Sequence, residues 1–352
     1  MVSVCKNIKI VIKMTDICIN IENLYKIFGN KPQAMMKYLK EGNNKHSLLV
    51  EHNHVLALNN INLKINTNQI HVIMGLSGSG KSTLVRHINR LIEPTSGQVF
   101  VNRENILTMT QNELREFRKY KVSMVFQKFG LLPHRTVVQN ISFGLLIQGV
   151  NKREAIQRSQ KWIKKVGLDG FENKYPYQLS GGMQQRVGLA RALATNAGVL
   201  LMDEAFSALD PLIRTSMQDT LLDLQRELNR TIVFITHDLN EAIRIGDQIS
   251  ILHDGSIIQT GSTEEILLKP KNNYISDFIK DINMARIVKI SSIMKKTNNI
   301  KGTKIAFNKT LEDSLPIIAS DPNHKALIVD KNNNIIGEVS LECILSNIYS
   351  KK

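Results

Sequence analysis

The chain has 352 residues, a net charge of +15 and 42 % apolar against 22 % charged residues, enough for one large core plus a smaller unit. No apolar run approaches the ~20 residues of a membrane-crossing helix, and Lys6, Lys9 and Lys13 break up the first stretch, which excludes a continuous signal-peptide core. Cys5, Cys18 and Cys343 have no paired spacing, which argues against a disulfide framework or zinc site and for a reducing cytosol.

In chain order, residues 1–13 read as a dispensable leader before Met14-Thr15-Asp16, which makes 1–15 an N-terminal extension. Residues 17–21 alternate and β-branch like an edge strand, and 31–50 read as a helix with Ala34, Met35, Tyr38 and Leu39 at helical spacing. Alternation resumes over 56–65, and 69–74 is a continuous apolar strand running into a glycine-rich loop and then a helix from Lys81. Residues 129–196 read as mainly helical, with an apolar stripe along 154–166. Residues 199–202 and 231–236 are two further buried strands. Strands alternating with helices predict an α/β fold with a largely parallel sheet covered on both faces.

The sequence of catalytic type ends around residues 280–287, and the last ~65 residues read as a separate α+β unit. Thr310 would cap a helix with Glu312 and Asp313 in its first turn. Strands over 325–329 and 335–339 flank an Asn-rich turn, and a closing helix starts at Leu341. The basic residues of the whole chain are scattered, as on a generally solvated surface. In residues 286–352 eleven of them face six acids, an excess that suits contact with anionic lipid.

The chemistry sits in five places. Gly75-Leu76-Ser77-Gly78-Ser79-Gly80-Lys81-Ser82 fits the P-loop pattern, in which backbone amides cradle a triphosphate. Lys81 would reach the β- and γ-phosphates, Ser82 would ligate Mg²⁺, and the helix start that includes Thr83 adds its dipole. Such a loop elsewhere is an ordinary turn, but a strand before it and a helix after it give it a site's context. Residues 199–202 lead into Asp203 and Glu204, two carboxylates at a strand's mouth: a metal-holding acid and a general base for water. Leu179-Ser180-Gly181-Gly182-Met183-Gln184-Gln185 opens a helix and makes a second anion-binding end. The P-loop has no need of it, so it fits the γ-phosphate of a nucleotide held by another copy. His237, after the strand 231–236, is placed to sense the γ-phosphate, and Gln127, after Met124-Val125-Phe126, to contact Mg²⁺ or water.

These elements, in this order, resemble an ATP-binding cassette ATPase: Walker A (75–82), Q-loop (Gln127), LSGGMQQ (179–185), Walker B with Glu204, D-loop (Ser207-Ala208-Leu209-Asp210) and switch His237. The resemblance implies a RecA-like parallel core with an antiparallel β subdomain and a helical subdomain over residues 16–284. It also implies a head-to-tail homodimer that sandwiches two ATPs, with Ser180, Gly181, Gly182, Gln184 and Asp210 among the nucleotide-binding residues. The family's adenine-stacking aromatic would be Phe28, with Tyr25 as its competitor. Leu91-Ile92-Glu93-Pro94-Thr95-Ser96-Gly97, Leu131-Leu132-Pro133-His134-Arg135-Thr136-Val137 and the insert after Phe28 are similar to those of glycine betaine/proline importers. That subfamily implies an ATP-driven osmoprotectant translocase on the cytoplasmic face of the membrane. It would work with integral permease subunits and an extracytoplasmic substrate-binding protein, and with no nucleic acid. Residues 285–352 resemble one cystathionine-β-synthase (CBS) motif, of which such importers often carry two.

Overall fold

The computed structural model describes residues 16–42, 45–127, 129–207, 209–280, 282–297, 299 and 302–349; the expected extension over 1–15, and Ala208, lie outside them. The chain opens with β1 (Ile17–Phe28), whose Ile19, Ile21, Leu24 and Ile27 are buried. An insert of two helices follows, α1 (Pro32–Lys40) and α2 (Lys45–His52), before β2 (Val55–Asn66). The single helix expected over 31–50 is thus divided. Gly42, at φ +93°, follows Glu41 at the end of α1 and turns the chain out of the helix. The insert has its own small core, in which Leu48 packs with Ile27 and Leu56 against Met35, Met36, Tyr38 and Leu39. Burying such a side chain contributes ~1.5–3 kcal/mol, which seats α2 against the sheet.

β3 (Ile70–Met74) leads through the glycine loop into α3 (Lys81–Ile88). Then come β4 (Ser96–Val101), β5 (Glu104–Asn105), α4 (Gln111–Tyr120) and β6 (Val122–Val125). A helical lobe follows, α5 (Val137–Ile147), α6 (Lys152–Lys165) and α7 (Gly181–Ala194), packed through Ile141, Leu145, Ile163, Val187 and Ala190. The chain re-enters the main body as β7 (Val199–Asp203), α8 (Pro211–Leu228), β8 (Thr231–Thr236), α9 (Leu239–Ile245), β9 (Gln248–His253) and β10 (Ser256–Gly261). Two short helices, α10 (Thr263–Leu268) and α11 (Asn273–Ile279), lead to β11 (Lys304–Ala306), α12 (Leu311–Ala319), β12 (Lys325–Val329), β13 (Ile335–Ser340) and α13 (Leu341–Tyr349).

The strands form three sheets. The central one runs β10-β9-β3-β8-β7-β6, parallel except for the antiparallel β10 at its edge. The second, antiparallel, runs β2-β1-β4-β5. β1 is therefore paired on both sides and is no edge strand. Alternation reports one buried face, and it reads the same whether a strand has one partner or two. The third sheet, β11-β12-β13, belongs to the C-terminal unit.

Apolar side chains alternate along the central strands to fill both faces. Ile73, Leu201, Val233, Ile235 and Leu252 pack with α3, α4 and the antiparallel sheet. Val72, Met202, Phe234 and Ile251 pack with α7 and α8. That second cluster continues through Met284, Val288 and Ile290 to Ile318, Ile328 and Ile344, so the C-terminal unit has its own sheet but shares a core with the rest.

Two buried histidines bracket the glycine loop, His71 in β3 and His87 in α3. His71 Nε2 lies 2.8 Å from Ser250 Oγ, and His87 Nδ1 lies 2.7 Å from the Thr83 carbonyl. Burial pushes the pKa of each from 6.5 down to about 4. The unfolded chain therefore binds more protons than the folded one between pH 6.5 and 4, and stability is lost as the pH falls through that window. The unfolding free energy from urea titrations should drop from pH 7 to pH 5, by up to ~1.4 kcal/mol per pH unit for each histidine. His71→Gln should flatten that slope.

Candidate nucleotide-binding site

β3 is buried along its whole length and delivers residues 75–80 to the top of the central sheet. Gly75 sits at φ +158°, and a Cβ there would lie 2.1 Å from the Leu252 carbonyl oxygen at the end of β9. At Gly80, φ +102°, it would lie 2.6 Å from the Ala57 carbonyl oxygen in β2. Only glycine lets the loop pass between these two backbones. The Gly255 amide, in the β9–β10 turn, donates to the Ser79 carbonyl at 3.1 Å and pins the loop from a third side.

α3 starts with Gly80 as N-cap and no side-chain cap, so its first amides face the loop's concavity with the positive end of the helix dipole. Ser79 Oγ is buried with no hydrogen-bond partner among the described residues. Lys81 is buried, and its Nζ donates to the carbonyls of Gly75 and Leu76, each at 2.9 Å. Burial lowers the pKa of this ammonium against the pull of Glu204, whose Oε1 lies 3.7 Å away. Orphan amides, an unpartnered hydroxyl and a desolvated cation make a cradle that fits a polyphosphate.

Asp203, at the end of β7, is 1 % exposed. Its Oδ1 accepts from Ser82 Oγ at 2.7 Å and its Oδ2 from Arg86 Nη2 at 3.3 Å. Among the described residues no cluster of three or more His, Cys, Asp or Glu could hold a metal ion. A cation here would rest on one carboxylate, the Ser82 hydroxyl and the Gln127 amide oxygen, completed by substrate phosphates. That all-oxygen set suits Mg²⁺.

Glu204 follows at φ +45°, a left-handed backbone that non-glycine residues rarely adopt. Ser207 Oγ donates to its carbonyl at 2.9 Å. Gln127 Nε2 donates to its Oε2 at 2.9 Å, and His237 Nδ1 lies 3.6 Å from its Oε1. Lys81, Gln127 and His237, read from three separate stretches of sequence, thus converge on one carboxylate. The cavity in front of them is about 300 Å³ and is lined by Lys45, Val55, Leu56, Ala57, Ser77, Gly78, Gly80, Lys81, Ser82, Thr83, Gln127 and Glu204.

No residue of 179–185 lines it. Ser180 instead caps α7, accepting from the Met183 amide at 3.3 Å, and leaves itself and Gly181 exposed beside the half-buried Gly182. Gln184 turns back on its own loop, its Nε2 donating to the carbonyls of Pro176 at 3.0 Å and Leu179 at 3.2 Å. Asp210 caps α8 through the Ile213 amide at 3.1 Å. Phe28 stands beside the cavity, since it pairs across the strands with Val55, and its exposed ring lies 4.8 Å from Lys26 Nζ. Tyr25 lines a neighbouring cavity.

Three residues escape the sequence reading. Arg86 could have been found one helical turn after Ser82. Arg191 on α7 holds the carbonyls of Gly130 and Phe129 at 2.7 and 3.2 Å, which ties the segment after Gln127 to the helix that Ser180 opens. Lys45 carries no local signal at all.

The family model described as ABC transporter matches residues 58–207. The chain is 47 % identical to the glycine betaine transport ATP-binding protein OpuAA of Bacillus subtilis, over 91 % of this chain and 76 % of that protein. It is 41 % identical to the trimethylamine N-oxide transport system ATP-binding protein TmoW of Pelagibacter ubique, over 96 % and 99 % respectively. Among solved structures, a dimeric post-hydrolysis state of the ATP-binding cassette MJ0796 bound to ADP and Pi matches with a TM-score of 0.60 and 32 % identity. That match covers 70 % of this chain and 98 % of that one.

A methyl at Gly75 has no room against Leu252 O. Gly75→Ala should weaken nucleotide binding about 100-fold, the cost of misplacing a site by ~1 Å. Titration with a fluorescent ATP analogue measures it, with circular dichroism to show that the fold persists.

Proposed function

The chain belongs to the ABC transporter family as an ATP-binding subunit, and from that membership we propose that it hydrolyses ATP at residues 75–83 to drive uptake of a methylated amine. The observation that carries the reading is the single cavity shared by Lys81, Ser82, Gln127 and Glu204, with residues 179–185 off its walls. Each chain then supplies two half-sites, and Ser180 to Gly182 of one copy close on the γ-phosphate bound by the other. The dimeric cassette at 32 % identity supports that arrangement.

In this reading Lys81 and the α3 amides hold the β- and γ-phosphates, and Phe28 packs against the base at the Val55 side. Ser82, Asp203 and Gln127 would hold Mg²⁺, which when bound would offset charge on the β- and γ-phosphates. Glu204 takes the proton from the attacking water as its oxygen bonds to the γ-phosphorus and the bond to ADP breaks. The Gln127 amide fixes the Glu204 carboxylate, and His237 stands beside it to meet the γ-phosphate. Asp210 of each copy would join the dimer interface.

Among the described residues no helix is long and apolar enough to cross a membrane. The solute path in this reading belongs to separate permease subunits, served by an extracytoplasmic binding protein, with this chain on their cytoplasmic face, which relatives that are transport ATP-binding proteins support. Glycine betaine, or a kindred solute such as proline, choline or carnitine, is the substrate class that the 47 %-identical relative supports. Trimethylamine N-oxide is the second reading, supported by a relative matched along 99 % of its length. Residues 285–352 form a CBS-like regulatory unit, for which the β11-β12-β13 sheet flanked by α12 and α13 is the support. A single motif of this kind would pair with that of the second copy.

Glu204→Gln should lower kcat for ATP by 100-fold or more, roughly the worth of a general base. It should retain ATP binding and elute as a stable dimer with ATP on gel filtration; normal turnover would remove Glu204 from the base role. Uptake of labelled betaine, proline, choline, carnitine and trimethylamine N-oxide, with and without this chain, identifies the solute.

A further inference from the structure

Lys45, the first residue of α2, has its Nζ 3.0 Å from Asp254 Oδ1 in an ion pair exposed on both sides. The same lysine lines the nucleotide cavity, where Lys81 is the other cation. It also lines a second cavity of about 460 Å³, shared with Tyr25, Leu39 and Asp254; Leu56 is the other residue common to both. Lys45 therefore borders both volumes.

Its seat is fixed. Leu48, one turn further along α2, is fully buried against Ile27 and Leu56, and Leu56 belongs to the stretch of β2 that walls the nucleotide cavity. Its present partner is weak: an exposed Lys–Asp pair contributes only ~0–1 kcal/mol. A triphosphate in the adjoining cavity carries several negative charges and is partly withdrawn from water, where charge-assisted hydrogen bonds are stronger.

We propose that Lys45 is a nucleotide-contacting residue brought to the site by the insert between β1 and β2, its ammonium exchanging Asp254 for the phosphates when nucleotide binds. The inference rests on reading residues 75–83 as an ATP site. Asp254 lies next to Gly255, whose amide holds the Ser79 carbonyl, so the lysine changes partners beside the turn that pins the loop.

The test is titration of the full chain with a fluorescent ATP analogue, alongside steady-state kinetics. Lys45→Ala should raise Kd about tenfold, the worth of one hydrogen bond to a charged group, with the loss falling in KM rather than kcat. Lys45→Arg should restore binding. Asp254→Asn, which frees the lysine, should bind at least as tightly as the parent chain. An unchanged Kd in Lys45→Ala overturns the inference while leaving the ATP site standing. Equal weakening by Lys45→Ala and Asp254→Asn also overturns it, because the pair would then act as a strut between insert and turn. Failure of the parent chain to bind ATP overturns the site and the inference together.

Discussion

The close approach of three backbones around residues 75–80 is the constraint on which the rest of the molecule hangs. Strand β3 brings the loop up, the end of β9 and the start of β2 confine it, and the β9–β10 turn holds its Ser79 carbonyl. These segments come from distant parts of the chain and from two different sheets. Two large apolar clusters, one on each face of the central sheet, hold them together. The cradle is therefore organised before any ligand arrives, which is where enzymes gain most of their electrostatic advantage.

Glu204 is the second fixed point. A left-handed backbone on a glutamate costs ~1–3 kcal/mol and persists only where the surroundings enforce it. Here the buried β7 behind it and Ser207 ahead of it do so. The carboxylate is thereby aimed at a spot reached by residues from α3, from the segment after β6 and from the end of β8. Arg191 carries that geometry outward, because it clamps the Gln127 segment to α7, and α7 begins at Ser180. One helix thus carries both the Arg191 contact to the segment after Gln127 and, at its start, the exposed Ser180 and Gly181.

Much of this was legible in the sequence, for a local reason. The strands over 70–74, 199–203 and 231–236 are continuous apolar runs, and Ser180 and Thr310 announce their helices as caps do. The chemistry-bearing residues sit at the ends of those strands, so finding the strands found the site. What escaped depends on contacts that no local period encodes. Ile19 and Ile21 alternate whether β1 has one neighbour or two. The apolar spacing across α1 and α2 reads through Gly42 as if the helix were unbroken. Within one chain Gln184 ties its own loop and Asp210 caps α8, two contacts that no local period encodes. Lys45 was invisible because its meeting with Asp254 spans 209 residues of sequence.

The insert leaves the sheet at Phe28 and returns at Val55, and those two residues are themselves a paired rung of the ladder. The hairpin is thus closed below the excursion. Each doubling of a loop closed in this way costs only about 0.6 kcal/mol. This corner of the molecule can lengthen or change its content at small thermodynamic expense, at a place that overlooks the catalytic cleft. New sequence at this corner would sit beside the nucleotide cavity, above a rung that the sheet has already closed.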